Sequence, residues 1–127
     1  MKGFTVILSA ALLGAALLVP AASQGTHGRP GACDHATINA GNGSKTVIGT
    51  PGPDIIKGGK APDTIYGRGG NDRICGGPGP DRIFGQRGDD RMWGNHAPDL
   101  LRGGPGFDRA RGGPGDDVCR AERKRRC

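Results

Sequence analysis

Residues 49–119 read GTPGPDIIK (49–57), GGKAPDTIY (58–66), GRGGNDRIC (67–75), GGPGPDRIF (76–84), GQRGDDRMW (85–93), GNHAPDLLR (94–102), GGPGFDRAR (103–111) and GGPGDDVC (112–119). The period is nine, without insertion, over eight blocks. A glycine opens each block: Gly49, Gly58, Gly67, Gly76, Gly85, Gly94, Gly103 and Gly112. An aspartate holds the sixth place: Asp54, Asp63, Asp72, Asp81, Asp90, Asp99, Asp108 and Asp117. An apolar residue follows two later: Ile56, Ile65, Ile74, Ile83, Met92, Leu101, Ala110 and Cys119. A fixed short period is the signature of a solenoid and outranks local propensity.

The last three residues of each block, such as Thr64-Ile65-Tyr66, suit a very short strand. Its middle side chain points inward and the two flanking ones point out, by the alternation of a strand. The six residues before it must reverse the chain, and glycine supplies the turn conformations. Composition agrees with this thin architecture. Of 127 residues, 26 are glycine and 10 proline, and only Phe4, Tyr66, Phe84, Trp93 and Phe107 are aromatic. No conventional globular core can be assembled from that set. Backbone pairing, a narrow apolar ladder or bound ions must hold the fold.

The middle glycine of the block is present six times, at Gly52, Gly70, Gly79, Gly88, Gly106 and Gly115, with Ala61 and Ala97 departing. A second glycine next to the first appears four times, at Gly59, Gly77, Gly104 and Gly113. With its aspartate and apolar positions, the chain resembles the RTX, or haemolysin-type, calcium-binding nonapeptide-repeat family. The resemblance covers over half the chain. It implies an all-β fold: a parallel β-roll, a right-handed β-solenoid of two short-stranded parallel sheets, with successive blocks alternating between them.

It also implies the chemistry. Equivalent turns then recur every second block, and their carboxylates stack about one strand spacing, ~4.8 Å, apart. Unpaired, such a column repels itself. Calcium takes 6–8 oxygen ligands, carboxylate and carbonyl alike. The expected site is thus two aspartates eighteen residues apart plus turn carbonyls around Gly52, Gly70, Gly79, Gly88, Gly106 and Gly115. The columns are Asp54, Asp72, Asp90, Asp108 and Asp63, Asp81, Asp99, Asp117, giving at most about six sites. Ala61-Pro62-Asp63 and Ala97-Pro98-Asp99 depart from the pattern, because a residue before proline is held extended. Asn71, Asp89 and Asp116 are read as turn formers. Lys45 lies eighteen residues before Asp63, where its ammonium would replace a terminal calcium.

Outside the repeats, residues 1–23 read as a secretory signal peptide: Lys2, an apolar run from Phe4 to Val19, then Pro20-Ala21-Ala22-Ser23. A membrane anchor is the alternative, but the run falls short of a span of ~20 residues. Residues 24–48 form a loose segment and two degenerate capping repeats, with Ile38 and Val47 in phase with the ladder. The roll occupies 49–120, and 121–127 is a basic tail.

The formal charge is +6. Without Lys2, 17 basic residues face 12 acidic ones, and the segment from Arg120 to Cys127 supplies +4 of the balance. By composition that segment suits nucleic acid or heparin. It lacks an aromatic platform, so no nucleic-acid partner is expected and contact with anionic cell-surface polymers is the better functional reading. Ile55, Arg73, Arg91 and Arg109 form an outward column, with Trp93 close enough to stack on an arginine; with the basic tail it offers an acidic wall polymer a ladder of cations, the alternative being a solvated sheet face with Arg–Asp pairs nearby. Tyr66 and Phe84 pair on the opposite face.

Four cysteines in a small exported chain predict disulfides. Three connectivities are possible. Cys119–Cys127 is local, which leaves Cys33–Cys75. A zinc site is the rival; the wide spacings and missing C-x-x-C oppose it. His27, His35 and His96 lack ligand spacing. No H-E-x-x-H, G-x-S-x-G or phosphate loop is present. Identical aspartates do not make the unlike pair that acid–base catalysis needs. The expectation is a secreted, monomeric, non-enzymatic calcium-binding protein.

Overall fold

The computed structural model describes residues 32–127. The leader reading of residues 1–23 lies outside them. Among the described residues no helix is long and apolar enough to cross a membrane.

Each block ends in a strand because three residues after the aspartate carry the extended, alternating pattern. Eleven strands follow: β1 (Ile38–Asn39), β2 (Thr46–Ile48), β3 (Ile55–Lys57), β4 (Thr64–Gly69), β5 (Arg73–Gly77), β6 (Arg82–Arg87), β7 (Arg91–Asn95), β8 (Leu100–Arg102), β9 (Arg109–Arg111), β10 (Val118–Arg120) and β11 (Arg123–Arg125). The odd-numbered strands make one parallel sheet in the order β1-β3-β5-β7-β9-β11. The even-numbered strands make the other, β2-β4-β6-β8-β10. We call them the odd and the even sheet. The fold is a parallel β-roll of about five coils. The register is one coil per eighteen residues: Ile56 lies beside Ile74, Ile74 beside Met92, and Ile65 beside Ile83.

The core is one side chain per strand. Ile56, Ile74, Met92 and Ala110 face Val47, Ile65, Ile83, Leu101 and Cys119 across the roll. Each isoleucine of these columns and Leu101 are 0 % exposed. The two degenerate repeats extend the stack, through Ile38 beside Ile56 and Val47 beside Ile65. The outward pair also forms: the Tyr66 and Phe84 rings stack with centroids 5.1 Å apart.

The basic segment after Arg120 is structured where composition suggests a tail. Arg123–Arg125 pairs with β9 as the last strand of the odd sheet. The coil leading to it is four residues short, since Arg123 aligns with Arg109 at a separation of fourteen. Its ladder position holds Lys124, beside Ala110 and exposed. The period therefore breaks in sequence while the stack continues in space. Cys119–Cys127 closes this end, with a Cα separation of 5.7 Å. Cys33–Cys75 joins the segment before β1 to the middle of β5, with a Cα separation of 6.3 Å.

Candidate metal centre

The aspartate precedes each strand and turns inward beside the apolar ladder. Asp72, Asp81, Asp90, Asp99 and Asp108 are all buried. One carboxylate oxygen has a fixed task. From Asp72 onward, Oδ1 of each aspartate accepts the backbone N–H of the aspartate one coil earlier. Asp54 donates to Asp72 at 2.8 Å, Asp72 to Asp90 at 2.8 Å and Asp90 to Asp108 at 2.9 Å. In the second column Asp63 donates to Asp81 at 2.8 Å, Asp81 to Asp99 at 2.7 Å and Asp99 to Asp117 at 2.9 Å. The columns are those the family resemblance implies.

The other oxygen is another matter. Oδ2 of Asp72, Asp81, Asp90, Asp99, Asp108 and Asp117 is buried without a hydrogen-bond partner. Leaving such an atom unsatisfied costs about 1–3 kcal/mol, more if it is charged. Asp54 and Asp63 escape this. Asp54 Oδ2 accepts from the Thr50 N–H at 2.6 Å and the Thr50 hydroxyl at 3.0 Å. Asp63 Oδ2 accepts from the Gly59 N–H at 2.8 Å.

The difference lies in one backbone position, the second of the block. In the six later turns it has positive φ: Arg68 82°, Gly77 131°, Gln86 81°, Asn95 85°, Gly104 117° and Gly113 122°. There the N–H can turn away from the carboxylate and prolong the sheet. Gln86 donates to the Gly103 carbonyl at 2.7 Å and Asn95 to the Gly112 carbonyl at 2.8 Å. Thr50 and Gly59 are not left-handed, and their N–H groups close on the aspartate instead. For Arg68 and Gln86 the left-handed conformation costs roughly 1–2 kcal/mol, which glycine avoids. The family pattern hints at this position, but four glycines in eight do not reveal which turns open.

The orphaned oxygens lie in a cradle of other oxygens. A Cβ built on Gly67 would meet Asp72 Oδ2 and stand 2.6 Å from the Gly85 carbonyl oxygen. One on Gly76 would meet Asp81 Oδ2 and stand 3.0 Å from the Gly94 carbonyl oxygen. The opening glycine is required because a methyl group would fill this space. The opening-glycine carbonyl of the next coil thus borders the same space as the carboxylate. The middle glycines are packed tightly as well. A Cβ on Gly88 or Gly106 would strike the Gly70 or Gly88 carbonyl, so these glycines let successive turns stack closely.

Burial raises the carboxyls. Asp90 is pushed up to about 7; the Asp72 N–H partly opposes this, and the charges of Asp72, Asp108 and Asp89 add to it. Asp99 also reaches about 7, and Asp72 and Asp81 about 6, with the same leading cause. Asp108 is raised as well. Near neutral pH Asp90 and Asp99 are poised between holding a proton and holding a cation.

Among the described residues no three His, Cys, Asp or Glu side chains converge on one point. A cation here would draw most of its ligands from backbone carbonyls. Such a set of hard oxygens, with spare negative charge and no sulfur or imidazole, fits calcium.

Other groups stand at two ends of the columns, Glu122 unforeseen and Lys45 foreseen with a different atom. The Asp108 N–H donates at 2.7 Å to Oε2 of Glu122, which takes the aspartate's part in the short last coil. At the other end Asp63 Oδ1 accepts the backbone N–H of Lys45 at 2.8 Å. The Lys45 backbone, not its ammonium, fills that place, and its side chain is exposed. Asn71 and Asp89 form a smaller outer ladder: Asn71 Oδ1 accepts the Asp89 N–H at 2.9 Å, and Asp89 Oδ1 accepts the Phe107 N–H at 2.8 Å.

Stacked turns with in-register buried carboxylates define a metal-binding parallel β-roll. The RTX calcium-binding nonapeptide repeat (4 copies) matches residues 48–83, 76–95 and 97–123, and the chain belongs to that family. No curated protein and no solved structure matches it.

Proposed function

We propose that this chain is an exported, non-enzymatic module whose folding is completed by calcium. The observation that carries the reading is the set of six buried, unpartnered carboxylate oxygens on Asp72, Asp81, Asp90, Asp99, Asp108 and Asp117. Each would be held to a cation together with carbonyl oxygens of the adjoining coil. Asp54 and Asp63, already closed by Thr50 and Gly59, serve as metal-independent supports for the first coils.

The bound ion supplies positive charge that replaces water and the proton at these oxygens. The protein does the rest. The Asp N–H ladder fixes one oxygen of each carboxylate, and the opening glycines keep the space beside the other free. A ladder of one apolar side chain per strand is too thin to offset chain entropy unaided. Binding free energy then becomes folding free energy. Extracellular modules bind at ~10⁻⁴–10⁻³ M, so an exported roll folds only after leaving the cell. The leader sequence and two disulfides support export.

The test is thermal unfolding of the mature chain in millimolar calcium and in excess chelator, with bound calcium counted by native mass spectrometry. The expected result is a sharply lower midpoint in chelator and up to six ions in calcium. An unchanged midpoint overturns the coupling.

A further inference from the structure

The outer face of the odd sheet has no part in the metal columns. Its first outward column is Ile55, Arg73, Arg91, Arg109 and Arg123, in register on successive strands. Its second is Lys57, Cys75, Trp93, Arg111 and Arg125. None of the ten positions is acidic. Asp54, Asp72, Asp90 and Asp108, directly before β3, β5, β7 and β9, are turned into the interior, while Asp89 and Glu122 are exposed at the margin of the face. Strand β11 doubles the cationic reach of the last coils by placing Arg123 and Arg125 beside Arg109 and Arg111. Trp93, half-buried, stands beside Arg111, and a shallow depression of about 530 Å³ runs between them and Arg91, Arg109 and β11.

We propose that this face binds an acidic polysaccharide, laid along the stack across β7, β9 and β11. Charge complementarity is the first argument: across β7, β9 and β11 the outward columns hold five arginines and no acid, and the exposed acids at their margin each have an oxygen engaged, Asp89 by the Phe107 N–H and Glu122 by the Asp108 N–H, so the face offers sites for a partner that brings only negative charge. The second is repeat. Arginines recur once per strand, about 4.8 Å apart, a step close to the length of one sugar ring. The guanidinium fork matches a carboxylate in a bidentate pair. The third is Trp93, whose flat indole suits the apolar face of a sugar.

The same surface is poorly built for nucleic acid. Single strands are held by successive stacking aromatics, and this face has one. The duplex major groove admits a helix or a two-stranded ribbon, not a flat six-stranded sheet. The binding face is set by strand register, so the proposal goes beyond the calcium reading.

The experiment measures binding of the full mature chain to oligomeric polyglucuronate by calorimetry, in calcium. Neutral dextran, a single-stranded oligodeoxynucleotide and anionic phospholipid vesicles are the comparison probes. The wild-type chain should prefer polyglucuronate to all three, and added salt should weaken the binding. Arg91→Glu with Arg109→Glu should lower affinity at least tenfold, and Trp93→Ala should lower it severalfold. Arg82→Glu with Arg102→Glu, the same charge change on the even sheet, should leave it nearly intact. If circular dichroism shows that the reversed variant does not fold, Arg91→Gln with Arg109→Gln takes its place, again with a loss of affinity expected. Equal losses from both sheets, no loss from the odd sheet, or tighter binding of the oligonucleotide or vesicles overturns the proposal.

Discussion

The backbone N–H of Asp72 donates to Oδ1 of Asp90, 2.8 Å away and one full coil further along the chain. Every rung thus depends on the next rung's side chain for a buried donor. That bond commits one carboxylate oxygen and aims the other, Oδ2, into the cradle beside Gly85. Substituting asparagine at Asp90 keeps an acceptor for the Asp72 N–H and removes the buried charge. Asp90→Asn is expected to leave the chelator midpoint at or above that of wild type at pH 8. The rise in midpoint on adding calcium should shrink. Asp54→Asn, at a carboxylate closed by Thr50, should leave that rise almost unchanged. Differential scanning calorimetry with and without calcium checks both.

Acidity should act in opposite directions with and without metal. The ordinary aspartate value is 3.8, and in the roll Asp90 and Asp99 are raised to about 7. The folded, metal-free state therefore binds more protons than the unfolded chain between those values. Its stability from these groups is full below pH 3.8 and lost as pH rises through 6 to 7. In chelator the midpoint should fall between pH 5 and pH 8. In saturating calcium it should rise over the same interval, because the cation requires the ionised carboxylate. Parallel melts at the two pH values decide this; a chelated roll more stable at pH 8 contradicts it.

A single methylene counts for much in so narrow a core. Ile74 is fully buried between Ile56 and Met92. Ile74→Ala should cost about 2–5 kcal/mol in calcium, measured by denaturant titration. The same variant should be unfolded in chelator by circular dichroism.

The opening glycines are expected to be intolerant where a glycine of the degenerate first repeats is not. A Cβ on Gly85 would press on Asp90 Oδ2, with Cγ 2.9 Å away. Gly85→Ala should weaken calcium binding at least tenfold and lower stability by about 1–3 kcal/mol. Gly43→Ala meets nothing within 4 Å and should be neutral. Isothermal titration with calcium separates the two.

The C-terminal clasp should govern the last strand alone. Cys119–Cys127 closes a loop of eight residues, and the Gly112 N–H donates to the Arg125 carbonyl inside the region it restrains. Cys127→Ser should cost about 2–3 kcal/mol of local or global stability. Amide exchange should accelerate at Gly112 and Gly113 and leave Asp72 and Asp90 protected. Uniform acceleration throughout the roll would show that β11 is not a separate unit.

The inward ladder was legible in the sequence, because a two-residue alternation inside a nine-residue period puts one apolar side chain per block inside. The eighteen-residue register, both sheets and the two aspartate columns were legible through the family resemblance. Less visible was anything that breaks the period while preserving the stack. Glu122 replaces an aspartate after a coil four residues short, its longer side chain reaching the Asp108 N–H. Spacing alone hides it, and charge alone makes β11 resemble a solvated tail. The closed turns at Thr50 and Gly59 were hidden for another reason. Glycine permits both signs of φ, so the letter at position 59 does not say which way its N–H points. The inward burial of the carboxylates, and the role of the opening-glycine carbonyls beside them, follow from packing between coils rather than from any one block.

Alternation of blocks between two sheets constrains how such a gene can change length. Loss or duplication of one nonapeptide would carry every downstream residue to the opposite side of the molecule, placing aromatic against arginine columns and exchanging the aspartate rows. A change of eighteen residues returns each side chain to its own wall. The pair of repeats, not the single nonapeptide, is therefore the unit whose gain or loss keeps every wall intact.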